Sequence, residues 1–180
     1  MEFKKLFCNK NSLLYSVSHP IKSGLREKGA SKMGKLNSKW DIRFLGLAEH
    51  VSNWSKDPST QVGAVIVDDE KKIVSLGYNG LPSQVADMSS ILSNRYEKYK
   101  YIIHAETNAI LTAKSSVKDC TLYTFPFLPC TNCASMVIQA GIKCVVSFEC
   151  IDNRWKAALE DSKSLFEMAD VECVEYQLSF

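Results

Sequence analysis

Residues 104 to 133 read HAETNAILTAKSSVKDCTLYTFPFLPCTNC, opening on His104-Ala105-Glu106 and closing on Pro129-Cys130-Thr131-Asn132-Cys133. A Cys-x-x-Cys at the start of a helix puts both sulfurs on one face of the first turn, because residues three apart are neighbours there. Pro129 suits such a start, since its missing N–H would have no partner in the first turn. His104 adds a third ligand. Three protein ligands of His and Cys type leave zinc an open fourth position, the arrangement of reactive rather than structural sites. His104 and Glu106 are two apart and diverge on a regular helix. They converge only if His104 stands at a helix N-terminus, half outside the helix, with the longer Glu106 reaching back. The stretch therefore predicts two helices that begin at metal ligands, with a strand over residues 120 to 125 between them.

Both ligand clusters then sit at positive helix ends, which together with the metal favour the thiolate forms of Cys130 and Cys133. Two simpler readings compete. A redox Cys-x-x-Cys has no use for His104 or Glu106. A four-cysteine zinc knuckle needs a second close cysteine pair, which the spacing of Cys144 and Cys150 does not provide.

Working outward, Val62 to Val67 and Lys72 to Tyr78 read as a hairpin turned at Asp68-Asp69-Glu70-Lys71. Before it, Trp40, Phe44, Leu47, Ala48, Val51 and Trp54 recur at threes and fours, a helical core stripe in which His50 is a surface or packed side chain and not a ligand. The segment from Ser55 to Thr60 breaks that helix around Pro58. Asn79-Gly80-Leu81-Pro82 is a turn, and residues 83 to 100 read as a loop with one short helix. Downstream, the second ligand helix runs to residue 140 and stops at Gly141. Ile142 to Phe148 follows as a buried strand, 154 to 169 as an amphipathic helix, and Val171 to Leu178 as an edge strand. Alternating helices and strands imply a layered α/β domain with its site at the strand ends.

A chain of 180 residues fits one domain, and a hydrophobic share of 46% suffices for a core. No stretch approaches membrane-spanning length, no signal-peptide core is recognisable, and no membrane partner is expected. Seven cysteines, an odd and scattered set, point to reduced thiols in the cytoplasm, with Cys8, Cys120, Cys144, Cys150 and Cys173 inert or buried. The net charge of +2 conceals an asymmetry: residues 1 to 39 hold nine Lys or Arg against Glu2 and Glu27, leaving 13 basic and 18 acidic side chains elsewhere. Residues 1 to 37 are accordingly expected to form a basic, flexible extension before a folded domain over 38 to 180. The extension has three readings: a solvated tail, a targeting segment, or an upstream stretch with the true start at Met33. No aromatic residues interleave with the charges between Lys22 and Lys39, so nucleic acid is not the expected partner.

The H-x-E with a downstream P-C-x-x-C resembles the signature of zinc-dependent nucleobase deaminases. Adding Ser55 to Val67 (SKDPSTQVGAVIV), Gly77 to Pro82 (GYNGLP), His104 to Leu111 (HAETNAIL) and Ile138 to Ile142 (IQAGI), the chain from 39 to 178 resembles the deoxycytidylate (dCMP) deaminases. The resemblance implies a three-layer α/β/α cytidine-deaminase-like sandwich with a mixed, roughly five-stranded sheet. It also implies Zn2+, one per subunit, hydrolysis of dCMP to dUMP and ammonia in support of thymidylate synthesis, and homo-oligomers, hexamers among them.

Carried over residue by residue, the resemblance makes His104, Cys130 and Cys133 the zinc ligands. Glu106 takes the proton from the zinc-bound water, passes it to ring N3 and later serves the departing amine, while hydroxide attacks C4. Ala105 offers its backbone to the base. Asn79 matches the Asn that meets the sugar 3′-hydroxyl, although an Asn-Gly turn is also a common structural device. Lys56 is the candidate for the phosphate, against the ordinary reading of a solvated loop lysine. Departures limit the carry-over. Ser83-Gln84-Val85 replaces the glycine or arginine that many relatives have there, so regulation by dCTP or dTTP is not carried over, and residues 80 to 100 hold no Cys or His for a second zinc. The aromatics of Thr124 to Leu128 either cap the base or fill a gap. Two alternatives stay open: a deaminase of another base or nucleotide (cytidine, guanine, tRNA adenosine), or a non-catalytic zinc-stabilised module, which would have no use for Glu106.

Overall fold

The computed structural model describes residues 5–7 and 38–177. Its elements are β1 (Lys5–Phe7), α1 (Ser38–Ser52), β2 (Gly63–Val67), β3 (Ile73–Tyr78), α2 (Ser89–Leu92), α3 (Arg95–Tyr101), α4 (Ala105–Thr112), β4 (Thr121–Phe125), α5 (Thr131–Gln139), β5 (Cys144–Phe148), α6 (Asn153–Met168) and β6 (Glu172–Tyr176). The strands form one mixed sheet in the order β1-β6-β5-β4-β2-β3. β2 pairs antiparallel with both β3 and β4, β4, β5 and β6 run parallel, and β1 lies antiparallel to β6.

Every residue of β2 is buried, which requires cover on both faces. With a side-chain period of two, Ala64 and Ile66 face one way and Val65 and Val67 the other. The Val65 face meets Phe44, Leu45 and Ala48 of α1, together with Tyr123, Val146 and Val174. The Ala64 face meets Ala105 and Ala109 of α4, Ala134 and Val137 of α5, and Leu159 and Phe166 of α6. Three layers result, and the two helices that begin at the predicted ligands share one face of the sheet.

The α1 layer is tied to the sheet by a polar contact in the core. Asp41, 1% exposed, accepts hydrogen bonds from Tyr123 Oη at 2.9 Å and Tyr176 Oη at 2.6 Å. Removing the carboxylate strands the Tyr123 hydroxyl and takes an acceptor from Tyr176, so Asp41→Ala is expected to cost at least about 1–3 kcal/mol by urea unfolding. A loss below about 1 kcal/mol would show that water or a neighbour satisfies both tyrosines.

The expected hairpin, ligand helices and buried β5 are present, and Gly141 ends α5 with φ at 80°. Three expectations change. β6 is not an edge strand, because β1 pairs along it from Lys5↔Tyr176 to Phe7↔Val174. Lys5–Phe7 is therefore strand and not flexible tail; an open β6 edge offers unpaired backbone groups that even three residues can use. The rest of the expected extension, including Met33, lies outside the described residues. Residues 83–100 hold α2 and most of α3 rather than one short helix, the second started by Asn94, whose side chain accepts from Tyr96 N and Glu97 N.

Candidate active site

His104 stands immediately before α4 with extended backbone (φ −72°, ψ 153°), and Cys130 stands in the same way before α5 (φ −67°, ψ 167°). Their carbonyls take the first helical bonds, from Asn108 N at 2.9 Å and Ala134 N at 2.8 Å. Both are thus half outside their helices, as convergence with Glu106 demands. His104 Nδ1 lies 3.5 Å from Cys130 Sγ and 3.4 Å from Cys133 Sγ, and the three ligand atoms all lie within 4.8 Å of one another. Zinc bonds of about 2.3 Å to sulfur and about 2.0 Å to nitrogen, at a tetrahedral angle, put N and S about 3.5 Å apart. The three residues therefore fit a tetrahedral ion without rearrangement.

Glu106 is 4% exposed in the first turn of α4, and its Oε2 is the one buried side-chain oxygen or nitrogen without a hydrogen-bond partner among the described residues. An unpaired buried polar atom costs about 1–3 kcal/mol, so this oxygen is aimed at something that binds. Burial pushes the Glu106 carboxyl above the ordinary carboxylate range, against its own backbone N–H and the nearby His104. The two thiols diverge. A hydrogen bond from Cys133 lowers Cys130 to about 4 despite burial, whereas Cys133 is pushed up by that same bond and by burial. His104 is raised by its bond to Cys130, with burial opposing. A metal held by both sulfurs would need both as thiolates.

The other expected site residues fare differently. Ala105 is fully buried, its side chain in the core between α4 and the sheet. Asn79 is buried and heavily used: Oδ1 accepts from Val62 N at 2.8 Å, and Nδ2 donates to Thr60 O at 2.9 Å and Asp57 Oδ2 at 3.3 Å. Both amide hydrogens are committed, leaving a lone pair on Oδ1. Lys56 is exposed and paired with Asp87 Oδ2 at 2.5 Å. Phe127 packs on Trp155 with ring centroids 5.9 Å apart, and Phe125 meets Phe148 on the α1 side, so both aromatics of the 124–128 stretch are half-buried against the core. Two groups near the ligands were not legible in the sequence. Ser162 of α6 donates to Pro129 O at 2.6 Å, fixing the residue before Cys130. Lys98 reaches 41 positions back to Asp57, and no local pattern announces either contact.

The family model for the cytidine and deoxycytidylate deaminase zinc-binding region matches residues 38–149. The chain belongs to this family. Among relatives of this deaminase family, the chain is 46% identical over 138 residues to an Aliivibrio fischeri protein described as an uncharacterized deaminase in luxG 3'region, an alignment covering 75% of the chain and 92% of that protein. It is 45% identical over 113 residues to the deoxycytidylate deaminase of Mus musculus, covering 59% of the chain and 63% of the mouse enzyme. The match thus spans a little under two thirds of the mouse protein. In fold the chain is similar to the dCMP deaminase of cyanophage S-TIM5 solved in complex with dCMP and dUMP, with a TM-score of 0.63, 23% identity, and coverage of 80% of this chain and all of that one. Among the described residues no helix is long and apolar enough to cross a membrane.

Proposed function

We propose that this deaminase hydrolyses dCMP to dUMP and ammonia, with Glu106 as the proton carrier and His104, Cys130 and Cys133 as the ligands of one zinc per subunit. The observation that carries the reading is the unpartnered Oε2 of Glu106 beside a three-ligand cluster, because a purely structural zinc site has no use for a buried carboxylate that is not a ligand. Similarity to proteins named deoxycytidylate deaminase supports the choice of dCMP over other bases.

Zinc held by these three residues supplies Lewis acidity and lowers the pKa of water toward neutrality. The chain's own groups do the rest. Glu106 takes a proton from the attacking water and delivers it to ring N3, then takes the second proton from the new C4 hydroxyl and passes it to the amine, which leaves as ammonia while the carbonyl forms. A carboxyl raised by burial is suited to both giving and taking a proton near neutral pH. The spare lone pair of Asn79 Oδ1 accepts the sugar hydroxyl, and the Ala105 backbone flanks the base. Lys56 exchanges Asp87 for the substrate phosphate. A cytoplasmic homo-oligomer fits the same reading.

Ammonia release by the zinc-loaded protein, with dCMP, deoxycytidine, CMP and cytosine in parallel, tests this. Turnover of dCMP well above deoxycytidine is expected, and that ratio reads the phosphate contact. Zinc bound with no turnover of any of the four would overturn the assignment.

A further inference from the structure

We propose that the buried Lys98–Asp57 ion pair is a positioning device for the metal ligand His104. This rests on His104, Cys130 and Cys133 being the metal centre. His104 stands outside the helical hydrogen-bond ladder on its N-terminal side, so what orients it there is the preceding residue and whatever holds that residue. Ile103 is clamped to Gly80 by two backbone bonds, Gly80 N to Ile103 O at 3.1 Å and Ile103 N to Gly80 O at 2.8 Å. Gly80 follows Asn79, whose Nδ2 donates to Asp57 Oδ2 at 3.3 Å. The other Asp57 oxygen takes Lys98 Nζ at 2.8 Å, along with the N–H and hydroxyl of Ser59. Lys98 Nζ also reaches Ser59 Oγ. Lys98 O in turn accepts from Ile102 N at 2.9 Å, one residue before Ile103. The path closes on itself: Lys98, Asp57, Asn79, Gly80, Ile103, Ile102 and back to Lys98.

Both charges are out of water, with the Lys98 and Asp57 side chains 7% and 3% exposed. Charge-assisted bonds within such a ring fix geometry closely. They do little for net stability, since a buried ion pair is commonly matched or exceeded by a well-packed apolar pair. Burial works to raise the Asp57 carboxyl, yet the Lys98, Ser59 and Thr60 donors outweigh it and hold it below its ordinary range, so the carboxylate stays ionised. A costly pair that adds little stability and ends one residue from a ligand is explained by placement.

Stability and placement separate in a pair of variants of the full chain. Lys98→Met strands the Asp57 charge and is expected to lower the unfolding midpoint and also weaken zinc binding. Lys98→Met with Asp57→Leu removes the stranded charge, and is expected to regain part of the lost midpoint, the Asn79, Ser59 and Thr60 donors having lost an acceptor, while zinc binding stays weaker by about 10–100-fold, the usual effect of losing a support behind a metal ligand. Zinc affinity is read by chelator competition, and if the single variant does not fold, the double variant decides. A double variant that binds zinc as tightly as wild type overturns the proposal. Cys133→Ser serves as the check on the metal centre itself: if it leaves zinc affinity unchanged, the ligand assignment has failed and not the role of Lys98.

Discussion

Glu106→Gln is expected to keep the fold and bind zinc like the wild type while turnover of dCMP falls by about 10³-fold or more. The size follows from the work assigned to one side chain. A positioned general acid or base contributes about 10²–10⁴-fold, and Glu106 serves both the attack and the departure of the amine. A factor of 10³ corresponds to about 4 kcal/mol of lost transition-state stabilisation. Glutamine is the fitting replacement because it conserves volume at a position only 4% exposed and introduces no new charge. Its amide cannot take the proton from water. Zinc content measured on the same preparation separates the outcomes. Full zinc with turnover within about tenfold of wild type would remove Glu106 from the mechanism, since that is less than a general base contributes. Loss of zinc would make it a ligand instead.

What the sequence disclosed and what it hid divide along a physical line. His104 and Glu106, two apart, pointed to a helix start, and His104 stands at one, because local backbone geometry leaves no other way for them to converge. The hairpin and the ligand helices were likewise legible, as their patterns are complete within a few residues. α2 and α3, of four and seven residues, are too short to establish a helical period. β1 has three residues and no meaning apart from β6, over 160 positions away. The polar groups were hidden most thoroughly. Nothing local to Asp41 announces its role, because the two tyrosines that meet it lie 82 and 135 positions along the chain. Lys98 lies in the stretch read as a loop with one short helix, where nothing in a local window distinguishes a buried cation from a solvated one.

Gly77→Ala is expected to damage the fold and the metal site together. A Cβ at this position in β3 would lie 2.3 Å from Ala105 O, 2.4 Å from Ala109 N and 2.9 Å from Ala109 Cα. All three are backbone atoms of α4, so no side chain is there to swing aside. Restoring ordinary contact at about 3.5 Å displaces the helix by roughly 1 Å. That helix begins at His104 and carries Glu106, whereas Cys130 and Cys133 belong to α5. The shift therefore opens the ligand triangle along its 3.4 and 3.5 Å edges and moves the carboxylate with it. A misplacement of about 1 Å costs about 10²-fold in rate, and overpacking of this kind costs about 1–3 kcal/mol of stability. Zinc affinity, turnover and the unfolding midpoint should all fall together. Gly46→Ala supplies the contrast, because Gly46 lies on the exposed side of α1 with nothing within 4 Å of its would-be Cβ. There the added methyl should stabilise the helix by up to about 1 kcal/mol and leave zinc binding and turnover alone. If Gly77→Ala instead binds zinc and turns over like wild type, the close approach of α4 to β3 is not what sets the ligand geometry.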